Sequence, residues 1–252
     1  MSQPDRPALS QDETPFAVLH RDAMMLVVDK PAGLPVHRGP AAKGRIVPVL
    51  TDHLDGLRFG LPRRPEVAHR LDRDTSGCLA LGRHPRATAL LNRLFRDGLI
   101  GKHYWAVVEG EPADEAGLID LPLARRSPER GWWMKVDPAG LPSQTRYRVL
   151  GRGQLDGTPL AWLELSPLTG RTHQLRVHCA QSGWPIRGDE VYGRAPREGG
   201  PGLHLHARGL SVPLYPKREP VRVTAPPPAH HHAALAACGW TPDAAPDDTA
   251  AR

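Results

Sequence analysis

The stretch His69-Arg70-Leu71-Asp72-Arg73-Asp74-Thr75-Ser76-Gly77 runs directly into Cys78-Leu79-Ala80-Leu81, so four charged side chains and a histidine stand at the mouth of a short apolar strand. An apolar strand is buried by its neighbours, and unpaired charge drawn into the same interior is costly. A fold built on this strand must therefore leave its mouth open to solvent or to a ligand. Thr75, Ser76 and Gly77 are small enough for a ligand backbone to approach Asp72 closely, and the strand behind them would hold Asp72 on rigid scaffold. The plainer reading is a polar turn that leads into the strand and has no other role.

Around this stretch the chain reads as many short strands and few helices. Phe16-Ala17-Val18-Leu19 and Met24-Met25-Leu26-Val27-Val28 are apolar runs parted by His20-Arg21-Asp22, the pattern of a strand pair. Ile46, Val47, Leu50, Leu54 and Leu57 recur at helical spacing and predict a helix over 46–57, with Pro48 tolerable in its first turn. Pro85 opens an amphipathic helix with Ala87, Leu90, Leu91, Leu94 and Phe95 on one stripe, and Gly98 stands where a C-terminal cap glycine belongs. Strands are predicted over 103–109, 132–136, 145–149, 160–165, 203–206 and 221–223. Strands interleaved with so few helices predict an α+β domain with a mixed, largely antiparallel sheet flanked by helices, not a doubly wound parallel one. No glycine-rich dinucleotide or P-loop signature is present.

Residues 172–182 form a short predicted helix that ends at Gly183-Trp184-Pro185. On a helical wheel Leu175, Val177, Cys179 and Ala180 share one face, and Gln174, His178 and Gln181 share the other. Arg176 falls in the middle of the apolar face. A guanidinium there keeps its proton and needs an anion, which predicts a carboxylate partner from another segment. The alternative is an arginine that snorkels out of a short helix.

The formal charge of +6 and the pI near 9.6, with 28 of 33 cations arginine, suit a polyanionic partner. Arginine's planar fork matches phosphate better than lysine does, although a chain so rich in Ala, Gly and Pro could carry arginine through codon bias alone. Cys78, Cys179 and Cys238 are far apart and form no Cys-x-x-Cys pair, so neither a disulfide framework nor a zinc ribbon is indicated, as suits a reducing compartment. No apolar run approaches the length of a membrane span. A soluble, cytoplasmic chain is expected. Its organisation reads as a disordered lead at 1–14, one catalytic domain at 15–228, and a disordered tail at 229–252. In that tail three adjacent histidines, His230, His231 and His232, cannot readily converge on one ion, and they read as solvated.

Three stretches taken together resemble the RluA-like pseudouridine synthases. They are His69-Arg70-Leu71-Asp72-x-x-Thr75-Ser76-Gly77, then Lys102-x-Tyr104-x-Ala106, then Thr169-Gly170-Arg171-Thr172-His173-Gln174-Leu175-Arg176-Val177-His178. Gly183-Trp184-Pro185-Ile186-x-Gly188-Asp189 fits as well, and the likeness runs from about Phe16 to Thr224. It implies an α+β domain with a basic central cleft that isomerises selected uridines of ribosomal or transfer RNA to pseudouridine, without cofactor or metal. The base leaves C1′ of the ribose through N1 and rejoins through C5. Asp72 corresponds to the family's essential aspartate, which attacks C1′ or removes the C2′ proton. Tyr104 corresponds to the tyrosine packed on the target base, and Arg176 to the arginine paired with the aspartate. Arg70 matches the arginine that contacts the displaced region, Arg171 is a candidate phosphate contact, and Arg73 and His173 are placed with them as RNA-binding residues. An enzyme of this kind turns the nucleotide out of its stack to reach C1′. Many members carry an extra N-terminal S4-type domain, which is expected to be absent here, and a monomer is expected.

Two readings compete with this one. Asp72, Asp74 and Asp189 could hold magnesium in a metal-dependent phosphodiesterase or nuclease. The charge alone would also suit an RNA-binding module without chemistry.

Overall fold

A computed structural model describes residues 14, 16–39, 47–127 and 133–242 of the chain. The expected lead at 1–14 lies, Thr14 excepted, outside the described residues, as do Ile46, Trp132 and the end of the expected tail from 243 onward.

The first strand pair forms as expected, β1 (Val18–Arg21) against β2 (Met25–Lys30). A short β3 (Glu66–Val67) precedes β4 (Ser76–Gly82), the strand behind the charged stretch, and α1 (Pro85–Arg96) follows it. Then come β5 (Gly101–Glu109), β6 (Ala116–Asp120), the small hairpin of β7 (Leu123–Arg125) and β8 (Met134–Val136), and the long pair β9 (Gln144–Leu155) and β10 (Thr158–Pro167). The chain closes with α2 (Gln174–Gln181), β11 (Leu205–Val212), β12 (Val221–Thr224) and α3 (His232–Ala237). One sheet runs in the order β1-β2-β4-β11-β5-β10-β9-β6, with β12 added on β11 and β3 on β4. Its described pairings are antiparallel except β4 with β11, which run parallel at Ser76 and Gly77. This is the mixed, largely antiparallel sheet predicted from the strand pattern.

β2 and β4 are covered on both faces, which is why they read as continuous apolar runs instead of alternating ones. Met25, Val27, Cys78 and Ala80 point toward Leu91 and Leu94 of α1. Leu26, Val28, Leu79 and Leu81 point to the opposite side, toward Leu50, Leu54 and Leu57. Those last three leucines lie on a 3-10 helix, Leu50–Leu57, in place of the longer helix expected over 46–57. Val49 is extended, and its N–H is taken by the Asp52 carboxylate at 3.2 Å, so the turns begin only after Pro48.

The second half of the sheet is layered in the same way. Ala106, Val108, Leu163 and Leu165 pack on Leu175 and Cys179 of α2, while Trp105, Val107, Leu160 and Trp162 pack on Ala234, Leu235 and Cys238. Residues 229–238 are therefore ordered on the sheet and not the disordered tail expected there, although His230 and His232 are exposed as expected. A 3-10 turn at Ala229–His231 and α3 cover the tryptophan-bearing face of β5 and β10, with His231 and Leu235 essentially inaccessible. The apolar run Ala233-Ala234-Leu235-Ala236-Ala237 is the sequence signal for this helix. Gly151 and Gly153 of β9 admit the end of α3, because a Cβ at either would run into the carbonyl of Cys238 or Ala237.

His206 ties the mouth of β4 to β11. Its Nδ1 lies 2.8 Å from Ser76 Oγ and its Nε2 3.1 Å from the Ala225 carbonyl, in a fully buried position. Burial pushes its pKa down to about 4, against the opposing pull of the Ala225 carbonyl. An unfolded histidine titrates near 6.5, so on acidification the unfolded chain takes up the proton first. This contribution to stability is complete above about pH 6.5 and is lost as pH falls toward 4. A shift of this size removes about 2 kcal/mol by pH 5. Urea unfolding at pH 7 and pH 5 is expected to show at least that loss, with a shallower slope for His206→Gln. Equal stability at the two pH values would refute the assignment.

Candidate active site

Asp72 sits in the loop between β3 and β4, and the loop is clamped at both ends. On one side the His69 Nε2 accepts the Ala80 N–H at 2.9 Å while the ring stacks on Phe95 of α1 at 4.2 Å. Burial, with the Lys102 charge adding, pushes the His69 pKa down to about 3, so the imidazole stays neutral and keeps its lone pair on Ala80. On the other side the buried Lys30 ammonium donates to the carbonyls of Pro31, Leu34 and Arg73 at 2.8, 2.8 and 2.9 Å. Burial lowers its pKa to about 8, although Asp74, Asp72 and Asp29 pull the other way. The Gly33 N–H also reaches the Arg73 carbonyl, at 2.9 Å, and the Thr75 N–H closes a turn on the Asp72 carbonyl at 3.2 Å. Gly77 has φ +104°, and a Cβ there would collide with the Ala207 carbonyl. Only glycine lets β11 come alongside at the mouth.

α2 supplies the facing wall. Arg176 does find its carboxylate, but the partner is Asp189 and not Asp72: Nε and Nη2 donate to the two Asp189 oxygens at 2.8 and 2.7 Å. Asp189 Oδ1 also accepts the N–H groups of Val191 and Tyr192, each at 2.9 Å. This turn follows α2 closely in sequence and can deliver a bidentate pair. Asp72, on a distant loop, makes no hydrogen bond or ion pair with Arg176 among the described residues, although its charge acts on the guanidinium. Burial raises the Asp189 pKa, yet the Arg176 and backbone hydrogen bonds outweigh it and leave the carboxyl below its ordinary range. Gln174 and His178, expected on the polar face of the helix, are buried as well. Gln174 donates to the Gln144 carbonyl at 2.9 Å, and His178 lies 2.9 Å from Thr145 Oγ1 and 3.0 Å from the Leu121 carbonyl. α2 is thus buried on nearly all sides, and a wheel cannot tell a buried polar face from a wet one.

Between these walls lies a cleft of about 390 Å³ lined by Asp72, Tyr104, Arg70, Arg171, His173 and Arg176, with Lys102, Arg96 and Phe95. Asp72 is the sole carboxylate among the described residues that line it. Arg73 lies elsewhere: it pairs with Asp74 at 2.9 Å and faces a second cavity of about 410 Å³ that Glu190 and Arg197 also line. The Tyr104 phenol is half-buried, and burial, with the Asp72 charge adding, raises its pKa so that the hydroxyl keeps its proton. Lys102, which stands in the Lys102-x-Tyr104-x-Ala106 motif but not among the expected site residues, has a pKa lowered by burial and donates to the Thr169 carbonyl at 3.3 Å. The three carboxylates of the metal reading do not assemble. Asp189 is engaged by Arg176 and Asp74 by Arg73, and no metal-ligating group of side chains occurs among the described residues.

Residues 24–181 match the family model described as RNA pseudouridylate synthase. The chain belongs to this family. An uncharacterized RNA pseudouridine synthase of Zymomonas mobilis is 42% identical over 84% of this chain and 93% of its own length. The ribosomal large subunit pseudouridine synthase C of Vibrio vulnificus is 34% identical over 83% of this chain and 65% of that one. Among solved structures, human RNA pseudouridylate synthase domain containing 4 superposes with a TM-score of 0.71 at 28% identity, covering 87% of this chain and 91% of that chain. As an RNA pseudouridine synthase the protein is an isomerase that acts on RNA. No helix of the described residues is long and apolar enough to cross a membrane.

Proposed function

We propose that this pseudouridine synthase modifies a uridine of large-subunit ribosomal RNA and that Asp72 is the carboxylate that acts on the ribose. The observation that carries the reading is the isolation of Asp72 as the one acid, among the described residues, lining a cleft otherwise furnished with Arg70, Arg96, Lys102, Arg171 and Arg176. The cations suit the phosphates around a turned-out nucleotide. The acid suits attack at C1′ or removal of the C2′ proton.

In the first route an Asp72 oxygen bonds to C1′ as the C1′–N1 bond breaks, and the electron pair leaves with the uracil. In the second, Asp72 removes the C2′ proton and the base departs to give a glycal. In both, the uracil turns in place; C5 then bonds to C1′ as the C1′–O bond to Asp72 breaks in the first route, or as Asp72 returns the proton to C2′ in the second, and the C5 proton must then leave. Arg70 is exposed and has no hydrogen-bond or ion-pair partner among the described residues, so it is available to the displaced RNA. The ribosomal target rests on the names of relatives, the large subunit synthases C of Vibrio vulnificus and D of Zymomonas mobilis. Mapping pseudouridines in ribosomal and transfer RNA from cells lacking the gene tests it. Loss of a site confined to transfer RNA would overturn the ribosomal assignment.

Tyr104 divides into ring and hydroxyl. The ring is the stacking surface for the uracil, worth about 1–3 kcal/mol for a stacked base. The hydroxyl keeps its own proton, so it relays the C5 proton only by passing one onward toward Asp72 or a water. Tyr104→Phe is expected to bind RNA nearly as wild type yet stall with the base detached or rearranged. Tyr104→Ala is expected to lose affinity as well as turnover. Complete pseudouridine formation by Tyr104→Phe in a single turnover at the wild-type rate would leave the ring alone in the mechanism.

A further inference from the structure

We infer that Tyr192 and His173 are a positioning pair for Asp72: the Tyr192 hydroxyl determines which nitrogen of His173 carries the proton, so that an Nε2–H faces the Asp72 carboxylate. The inference deepens the reading of Asp72 as the acting carboxylate and rests on it.

The Tyr192 oxygen accepts the N–H of Met134 in β8 at 2.9 Å, and the His173 Nδ1 lies 2.9 Å from the same oxygen. Met134 takes one acceptor position of that oxygen, and in the proposed pair the phenol directs its own proton to Nδ1. That nitrogen is then an acceptor, and the proton of the neutral imidazole resides on Nε2. Nε2 stands 3.7 Å from Asp72 Oδ2. The opposite tautomer would set a lone pair against the carboxylate. The distance is longer than a formed hydrogen bond, as contacts at catalytic groups commonly are until substrate closes on them.

The backbone points the same way. His173 occupies the N-cap position of α2 but makes no capping hydrogen bond there, and its φ of +51° lies in the left-handed region. A non-glycine residue in that region carries strain that surrounding structure must hold. Here the strained backbone accompanies a ring in the cleft, packed edge-on to Tyr192 at 5.6 Å, and Tyr192 is itself held by the Arg176 guanidinium 5.3 Å from its ring centroid. The charged groups that act on His173 are Asp72, Arg176, Asp189 and Arg70, and burial together with the two arginines favours the neutral ring. A neutral donor fixes Oδ2 without cancelling the charge, and leaves Oδ1 for the sugar.

Kinetics on an RNA substrate with variants at both positions test this. Asparagine tolerates the left-handed backbone and places its amide where Nδ1 was, within reach of Tyr192 but not of Asp72. His173→Asn is therefore expected to melt no lower than wild type while kcat falls about tenfold or more and KM changes little. His173→Gln, whose amide reaches the Nε2 position, is expected to recover much of the loss. Tyr192→Phe should fall between them, and the double variant Tyr192→Phe/His173→Asn should be no slower than His173→Asn alone, because both act through one N–H. A raised KM at unchanged kcat would make His173 an RNA contact and overturn the pair, as would additive losses in the double variant. Asp72→Asn measured alongside keeps the two ideas apart. If Asp72→Asn is active, the Asp72 reading itself is wrong. If it is inactive while His173→Asn turns over at the wild-type kcat, only the positioning pair is wrong.

Discussion

Asparagine in place of Asp72 is expected to lower the single-turnover rate of pseudouridine formation by roughly three orders of magnitude or more, the scale seen when a covalent or basic group is removed outright. RNA affinity should hold or rise, since the substitution removes a negative charge from the lining of the basic cleft. Rate and affinity are separable by following product in a single turnover and binding by anisotropy at matched salt. Asp74→Asn is the control. Its carboxylate is held by Arg73 at 2.9 and 3.1 Å and does not line the cleft, so turnover should change little. If Asp74→Asn were as damaging as Asp72→Asn and a chelator stopped the reaction, a metal-dependent mechanism would replace the one proposed.

Arg176→Met is expected to destabilise the protein by about 3–5 kcal/mol, because it leaves the Asp189 carboxylate buried without its guanidinium. Asp189 would retain only the N–H groups of Val191 and Tyr192. Adding Asp189→Asn in the same chain should recover part of the loss, since the asparagine brings no charge to bury. Urea unfolding of both single variants and the double variant measures the coupling. Asp189 has a pKa below the usual carboxylate range. The contribution of the wild-type pair is thus fully present above about pH 4, near the unfolded carboxylate value, and is lost only as pH falls below it. Additive effects of the two substitutions would mean that the pair does not act as a unit. The same substitution also unseats Tyr192, whose ring lies against the guanidinium, so turnover should fall with stability.

Periodicity and burial cost were enough to read the strand pattern, α1 with its capping glycine, the mixed sheet, and the need of Arg176 for an anion. The charged stretch at the mouth of β4 was legible for the same reason, since charge beside an apolar strand is informative before any contact is known. Periodicity failed where helices are covered on several sides. α2 buries Gln174 and His178 along with its leucine, and α3 follows a run of three histidines whose polarity predicts solvated tail. Of the three, His231 is buried and stacks on His204 at 4.7 Å, while His230 and His232 are exposed.

Which acid answers Arg176 is a question of distance, and local sequence holds no information about distance between segments. The motif likeness proposed Asp72; the turn after α2 places Asp189 within 2.8 Å and leaves Asp72 facing the cleft without a salt bridge to Arg176. Lys102, Tyr192 and the tautomer of His173 belong to the same class, because each depends on groups brought together across the sheet. The sequence by itself determined which segments are apolar on which face, and hence the family of sheet they can form. Only the tertiary structure decided which charges cancel and which stay available for chemistry, because a Coulomb interaction depends on separation and on the dielectric around it, and both are properties of the packed molecule.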